Sequence, residues 1–266
     1  MDIRTIKIVF FSPTETTARI VNGIAQGIDP EIVNRIDLTP PDARRYEIKL
    51  MRDEFTIIGT PVYAGRVPAE AIRRLQRIKG DNTPAVVVVV YGNREYEDAL
   101  LELRDIVADL GFRPIAGGAF IGEHSYSSET TLIAPGRPDD EDMGKAKRFG
   151  ESIQEKISRF HTLDDMPALQ VPGNYPYIEW DQPTEMAPVT VESLCTLCAE
   201  CVSVCPTAAI TVEESVLTSK SECIRCSACV KKCPSGARKW ESAHIDKVRK
   251  WLSENCLLRK EPQIFL

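Results

Sequence analysis

Two cysteine runs with identical spacing constrain this 266-residue chain more than any other feature. The first is CTLCAECVSVCP, residues 195–206, and the second is CIRCSACVKKCP, residues 223–234. In each run the cysteines are separated by two, two and three residues, and a proline follows the last. Eight of the nine cysteines lie in these runs, and the first 194 residues contain none. Such clustering indicates metal binding rather than a disulfide scaffold, which is usually a short secreted chain.

The spacing C-x2-C-x2-C-x3-C-P is that of iron–sulfur proteins, in which the fourth cysteine of each run serves the other cluster when two runs are present. Three cysteines on a tight turn can reach three corners of one cluster, and the fourth enters a helical turn that points away. The predicted ligands of two [4Fe-4S] clusters are Cys195, Cys198, Cys201 and Cys233 for the first, and Cys223, Cys226, Cys229 and Cys205 for the second. Structural zinc is the alternative, but zinc sites usually pair C-x2-C groups across a longer gap. The ninth cysteine, Cys256, falls in a helical pattern and is predicted to be a packed thiol.

In residues 1–161, apolar segments alternate with helical periodicity, which predicts an α/β doubly wound parallel sheet. The strand candidates are TIKIVFFS, EIVNRIDL, EFTIIGT, AVVVVVYG and PIAGGAFIG. The helix candidates are TARIVNGIAQGI, PAEAIRRLQRI, YEDALLELRDIVADLG and DEDMGKAKRFGESIQEKISRF. Ligands of such sheets bind beyond the carboxyl ends of the strands.

Three unusual loops follow strands of this predicted sheet. The first, SPTETT at residues 12–17, places four hydroxyls beside a helix N-terminus, where N–H groups and the helix dipole favour an anion. It lacks the glycines and lysine of a nucleoside-triphosphate loop, so it predicts a site for one terminal phosphate; an ordinary helix cap is the alternative. The loops TPVYAGRVP and YGNREYEDA bring glycine and aromatic residues to the next strand ends, where a flat ring could lie between them. No G-x-G-x-x-G follows any strand, so no separate nicotinamide domain is predicted.

With these loops, residues 1–161 resemble a flavodoxin, and residues 191–239 resemble a two-cluster bacterial ferredoxin. The order of the two parts is similar to that of flavodoxin–ferredoxin fusion proteins of anaerobic bacteria and archaea. The resemblance implies FMN, its phosphate held by Ser12, Thr14, Thr16 and Thr17, and its ring flanked by Pro61, Tyr63, Ala64, Gly65 and Arg66 on one side and Gly92, Asn93 and Tyr96 on the other.

Four positions carry further expectations from the same resemblance. Glu15 stands where flavodoxins usually have a glycine, so its carboxylate should point away from the phosphate. Gly65 should let a peptide rotate against the ring, or else only shape a turn. Arg94, like Arg66, should place positive charge near the ring, or else be solvated. His124 is expected to be an ordinary loop histidine, the alternative being that it reaches the flavin edge.

Composition divides the chain into four predicted parts. They are a flavodoxin-like FMN-binding domain at 1–161, an acidic proline-containing linker at 162–190, a two-cluster ferredoxin domain at 191–240, and a C-terminal helix and tail at 241–266. Within the linker, NYPYIEW at 174–180 is too aromatic for a free tether and is predicted to lie against one domain.

Bulk properties limit the class of protein. The formal net charge of −6 argues against a nucleic-acid partner, and 43% apolar residues suffice for a packed core. The longest aliphatic run is too short to span a bilayer, and the first residues do not resemble a signal peptide. The chain is therefore predicted to be cytoplasmic, without membrane insertion.

Both parts of the chain suit electron transfer. The predicted function is to pass low-potential electrons between redox partner proteins through two [4Fe-4S] clusters and FMN. The alternative is an FMN-dependent reductase of a small acceptor such as a quinone, fed by the clusters, with Arg66, Arg94 and His124 at its substrate site. A redox sensor is a third possibility. No nucleophile–base pair is evident in the sequence, which favours the carrier.

Overall fold

The computed structural model describes residues 3–52, 54–179 and 185–266. In the first part of the chain the elements are β1 (Thr5–Phe10), α1 (Thr16–Ile28), β2 (Ile32–Asp37), β3 (Lys49–Met51), β4 (Phe55–Pro61), α2 (Ala69–Leu75), β5 (Ile78–Gly80), β6 (Thr83–Tyr91), α3 (Ala99–Asp109), β7 (Phe112–Ile121) and α4 (Asp140–Ser158). In the remainder they are β8 (Val189–Thr190), α5 (Glu200–Ser203), β9 (Ile210–Val212), β10 (Val216–Thr218), α6 (Ala228–Lys231), β11 (Arg238–Lys239), α7 (Ala243–Asn255) and β12 (Gln263–Phe265).

The main sheet has the strand order β12-β7-β6-β4-β1-β2. β12 is antiparallel to β7, and the other neighbouring pairs are parallel. Without β12, the order β2-β1-β4-β6-β7 is that of the flavodoxin-like doubly wound sheet. The predicted parallel sheet is confirmed, and each of its predicted strands is present.

Helices cover both faces of this sheet, which is why its strands are apolar on both sides. α1 and α4 pack on one face, against residues such as Ile8, Ile57 and Val88. α2 and α3 pack on the other face, against residues such as Val9 and Val89. Because β1, β4, β6 and β7 are parallel, their carboxyl ends meet at one edge of the sheet. The three unusual loops follow β1, β4 and β6.

Two regions depart from the expectations. The predicted helix PAEAIRRLQRI ends at Leu75, and Ile78 begins β5, which pairs with β3 in a separate two-stranded sheet. The C-terminal helix and tail contain α7 as expected, but the last residues also form β12 on the edge of the main sheet. A three-residue strand is too short to show a period-two pattern in the sequence. β12 is recognised only from its pairing with the edge strand β7.

Part of the predicted linker lies against the start of α3. The carboxylate of Asp98 accepts hydrogen bonds from the backbone N–H groups of Asn174, at 2.8 Å, and Ile178, at 2.6 Å. The prediction that this aromatic segment packs on one domain is confirmed for residues 174–179. Trp180 lies outside the described residues.

The cysteine-rich part is built from short elements. β9 and β10 form an antiparallel hairpin between the two cysteine runs, as predicted from AAITVEESVLTSKS, and β8 pairs with β11. Each run ends in a one-turn helix, α5 or α6, after which the fourth cysteine leaves in a new direction.

Specific contacts join the cysteine-rich part to the main sheet. Arg74 of α2 is fully buried and donates a hydrogen bond to the carbonyl of Pro206, the last residue of the first cysteine run. Lys232 pairs with Glu15 in the loop after β1, with 2.5 Å between Nζ and Oε1. In the part of the chain that the structure describes, no helix is both long enough and apolar enough to cross a membrane.

Candidate functional site

The structure sorts eight cysteines into two cavities. One cavity is lined by Cys195, Cys198, Cys201 and Cys233, here called the first set. The other is lined by Cys205, Cys223, Cys226 and Cys229, the second set. Each cavity receives three cysteines from one run and the fourth from the other, so the structure brings together the sets of four that the spacing predicts. Among the described residues, no group of three or more His, Cys, Asp or Glu side chains is spaced for a single metal ion.

The backbone of each run bends at the same two positions. The φ angles are 54° at Leu197 and 59° at Ala199 in the first run, and 58° at Arg225 and 62° at Ser227 in the second. None is a glycine, and this left-handed conformation costs a residue with a β-carbon about 1–2 kcal/mol. Alternating right- and left-handed residues turn successive N–H groups toward one point, a shape that binds phosphates and iron–sulfur clusters. The repeated strain therefore fits a cluster in each cavity.

The two sets differ in exposure. Cys205, Cys226 and Cys229 of the second set are buried, whereas Cys198 of the first is exposed. Burial raises the pKa of Cys229 to about 11, although the nearby Arg238 charge opposes the shift. Such thiols keep their protons in the absence of metal, so cluster binding would release protons. Cys201 of the first set is also buried and Cys223 of the second is half-buried, so the first set is the more exposed of the two.

Cys256 lies apart from both sets. It follows α7 and is half-buried, and its carbonyl accepts a hydrogen bond from the Asn93 side-chain amide at 2.8 Å. Burial raises the pKa of its thiol. These features are those of a packed thiol.

The hydroxyl-rich loop leads from β1 into α1. The first N–H groups of a helix have no intrahelical acceptor, so they are available to a ligand. Thr17 Oγ1 is fully buried and has no hydrogen-bond partner among the described residues. Ser12 Oγ accepts from the N–H of Ala18 at 3.0 Å and so holds the turn, and Thr14 and Thr16 are half-buried in the same loop. An unpartnered buried hydroxyl beside a helix N-terminus fits an oxygen of a phosphate.

Glu15 occupies this loop with a left-handed backbone, φ 66°, which is the conformation that a glycine would adopt most easily. Its side chain is largely exposed and pairs with Lys232 of the cysteine-rich part at 2.5 Å. The carboxylate therefore has a cationic partner outside the loop, in agreement with the expectation that it turns away from a phosphate.

A central cavity of about 460 Å³ lies between the loops of the main sheet, the second cysteine run and α7. Its lining comprises Val62, Tyr63, Ala64, Arg94, His124, Ser125 and Tyr126 from the first part of the chain, and Ile224, Arg225, His244, Lys247, Val248, Trp251 and Leu252 from the second. The volume is in the usual range for ligand sites. Three of the lining residues are Arg or Lys, and none of the described residues that line it is a carboxylate.

Two residues predicted to flank the flavin ring, Tyr63 and Ala64, line this cavity. Burial raises the pKa of the Tyr63 hydroxyl well above its ordinary value, and the nearby Cys226 adds to the shift. Pro61 is half-buried at the end of β4. Gly92 lies directly against His124: a β-carbon added at Gly92 would be only 2.3 Å from Cδ2 of His124.

Arg66 and Tyr96, also predicted to flank the ring, make other contacts. Arg66 forms a two-pronged ion pair with Glu102, at 2.8 and 2.7 Å. Tyr96 is buried in the core against Tyr91, and its hydroxyl lies 2.6 Å from Gln263 Oε1. Neither residue lines the central cavity. Core packing was the alternative that the sequence left open for Tyr96, whereas the pairing of Arg66 with Glu102 was not visible in the sequence.

Asn93 and Gly65 likewise have structural contacts. The Asn93 amide donates to the carbonyl of Leu258 at 2.9 Å and so binds the C-terminal segment. Gly65 and Ala64 form a two-residue turn with φ angles of 76° and 50°, and the Gly65 carbonyl accepts from the N–H of Asp98 at 3.1 Å. A β-carbon on Gly65 would overlap the carboxylate of Glu97. Gly65 therefore shapes a tight, held turn, which is the second of the two roles that the sequence allowed.

The sequence did not assign several cavity residues. His124, expected to be an ordinary loop histidine, accepts a hydrogen bond at Nδ1 from the N–H of Tyr126 at 3.0 Å. Burial, reinforced by the charge of Arg94, lowers its pKa to about 4, so near neutral pH it is uncharged and carries its proton on Nε2. Lys247 and Trp251 lie on α7, whose amphipathic pattern was visible but whose partner surface was not.

Residues 187–234 match the family model of the 4Fe-4S dicluster domain. No curated protein shows a significant match to the chain.

Solved structures similar to the first part include a flavodoxin from the domain Archaea (13% identity, 58% of this chain and 99% of that one, TM-score 0.36). Others are oxidised flavodoxin 2 from Bacillus cereus (20%, 57% and 99%, TM-score 0.41) and the apo form of an NADH:FMN oxidoreductase (15%, 61% and 94%, TM-score 0.42). The fold of this part is given by its strand order. The chain thus joins a domain of flavodoxin-like fold to a 4Fe-4S ferredoxin-type domain, a combination that indicates redox electron transfer.

Proposed function

We propose that the chain relays electrons between redox partner proteins, two [4Fe-4S] clusters and FMN, in that spatial order. The position of the central cavity carries the proposal. Tyr63 and Ala64 of the predicted flavin loop line one side of it, and Ile224 and Arg225, neighbours of second-set cysteines, line another. Among the described residues, the first cysteine run contributes nothing to this lining. The second set therefore lies between the flavin cavity and the first set along the relay.

The residues present fit FMN. Thr14, Thr16 and Thr17, together with the N–H groups that begin α1, would hold its phosphate, since the buried Thr17 hydroxyl lacks a partner in the described ranges. Tyr63 and Ala64 would lie along its ring. FMN, when bound, can take up and return one or two electrons, and so can exchange single electrons with clusters.

The charges of the cavity suit a reduced, anionic flavin. Arg94, Arg225 and Lys247 line it without a carboxylate among the described lining residues. The uncharged His124 offers one N–H donor at Nε2. Arg94 and Arg225 are half-buried, Lys247 is exposed, and Arg94 also pairs with Glu97 at 2.8 Å, so Arg225 and Lys247 are the cations best able to stabilise negative charge on a bound ring.

The first set suits exchange with a partner protein. Cys198 is exposed, and Leu194 and Leu197 beside it are 44% and 45% exposed. Apolar side chains around an exposed redox centre favour brief docking of another protein. Three cysteines of the second set are buried, so this set is the less accessible to a partner protein.

Selective removal of one cluster at a time tests the order. Cys201→Ser should remove the first cluster and Cys226→Ser the second, after anaerobic loading with iron, sulfide and FMN. A reduced bacterial ferredoxin serves as donor, and stopped-flow absorbance follows the flavin and the clusters. Either variant should slow flavin reduction at least about tenfold, and in Cys226→Ser the first cluster should still be reduced rapidly. Cys256→Ser, a cysteine outside both sets, is the control. Unchanged flavin reduction in both variants would reject the relay.

A reductase of a small acceptor is the second candidate, favoured by His124, His244 and Lys247 in the central cavity, which could bind a polar acceptor. Dithionite-reduced protein mixed with a water-soluble quinone, without any partner, distinguishes the two. Catalytic turnover supports the reductase. A single round of oxidation, with turnover restored by a partner protein, supports the carrier.

A further inference from the structure

One buried cation, Arg238, lies between the two cysteine sets. It begins β11 and is 3% exposed. Its guanidinium donates hydrogen bonds to the hydroxyls of Thr190, at 2.7 Å, and Thr218, at 3.0 Å. These neutral partners hold the side chain in place without neutralising its charge.

Arg238 is in reach of both sets. Its Nη2 lies 3.8 Å from the sulfur of Cys229, a member of the second set. The same residue lines the cavity of the first set. Its charge also opposes the burial that raises the pKa values of Cys201, in the first set, and Cys223, in the second.

The hydrogen bonding of Arg238 is incomplete. Its Nε–H is buried and has no acceptor among the described residues, and no described carboxylate forms an ion pair with it. An unpaired buried cation is strongly unfavourable unless a negative group compensates it. Cysteine-bound clusters carry negative charge and sulfur acceptors, so the missing partner has the chemistry of a cluster.

We propose that Arg238 is a shared tuning residue that raises the reduction potentials of both clusters. The proposal rests on the proposed function, since it requires that both cysteine sets bind clusters. Reduction adds one electron to a cluster and increases its negative charge. A buried cation beside both clusters stabilises each reduced form more than the oxidised form. Net charge and hydrogen bonds to sulfur are known to set such potentials.

The test is a potential-controlled titration of the full-length protein, followed by electron paramagnetic resonance of the reduced clusters. Arg238→Gln removes the charge and keeps a polar side chain. At a fixed potential, the ratio of reduced to oxidised form should fall about tenfold for each cluster, which is about 59 mV for a one-electron couple. Arg238→Lys keeps the charge and should stay within about threefold of wild type.

Lys239→Gln is the matched control. Lys239 is the next residue of the same strand, carries the same charge and is exposed, so water and salt screen it. It should leave both potentials nearly unchanged. A shift as large as that of Arg238→Gln would show that net charge sets the potentials and would overturn the proposal.

Iron content separates the failure of this inference from that of the proposed function. Wild-type protein with fewer than two clusters would overturn both. If the clusters are intact, unchanged potentials in Arg238→Gln, or a shift confined to one cluster, would overturn the shared role alone. If Arg238→Gln does not retain its clusters, Arg238→Lys decides the matter. A fully loaded lysine variant whose ratio of reduced to oxidised cluster differs tenfold from wild type would contradict a role based on charge.

Discussion

Replacing Thr17 by valine should separate a phosphate-binding loop from an ordinary helix cap. Valine has nearly the shape of threonine but lacks the hydroxyl. Because Thr17 Oγ1 is buried and has no partner in the part of the chain that the structure describes, the change removes no hydrogen bond seen there. The apoprotein should therefore be as stable as wild type, or more stable by about 1 kcal/mol, since a desolvated hydroxyl is lost.

The effect on FMN should be the opposite. A hydrogen bond to a charged group contributes about 1.5–3 kcal/mol. At about 1.4 kcal/mol for each factor of ten, the dissociation constant of FMN should rise about tenfold to a hundredfold. Riboflavin, which has no phosphate, should bind Thr17→Val and wild type equally well.

Fluorescence titration of apoprotein with FMN and with riboflavin measures both affinities, and urea unfolding measures stability. Thr83→Val is the control: this buried hydroxyl lies 2.7 Å from the Met51 carbonyl, at the opposite end of β6 from the loops. It should lower the free energy of unfolding by about 1–3 kcal/mol and leave FMN affinity unchanged. Equal losses of FMN and riboflavin binding in Thr17→Val would refute a phosphate contact.

Three further predictions concern the cofactors and the turn after β4. Protein prepared without air should contain about eight iron atoms per chain and negligible zinc by elemental analysis; stoichiometric zinc with little iron would favour the zinc alternative. Cys205→Ala should damage the cluster of the second run, residues 223–234, although Cys205 belongs to the first; resonance Raman or magnetic resonance spectra showing loss of the other cluster would contradict the ligand sets. Gly65→Ala should lower the free energy of unfolding by at least about 1 kcal/mol in urea titrations, because a β-carbon meets Glu97 and the backbone has positive φ; wild-type stability would contradict the turn.

The cysteine sets, the strands of the main sheet and the hydroxyl-rich loop could be predicted from the sequence by itself. The cysteine sets follow from spacing alone, because two intervening residues allow one tight turn to direct three thiols at a common point. The strands of the main sheet were likewise recognisable, since burial on both faces leaves continuous apolar runs. The hydroxyls of the first loop could be placed at a helix N-terminus because a strand precedes them and a helical period follows.

The remaining features depend on contacts between distant segments. Tyr96 and Asn93 occupy a predicted flavin loop, yet they bind β12 and the segment after α7, about 165 residues further along the chain. Arg238 becomes a possible regulator of both clusters only because β11 carries it between the two cysteine sets. Periodicity reports whether a residue is buried, but not what it is buried against. That choice depends on which surfaces fit each other, so only the tertiary structure decided it.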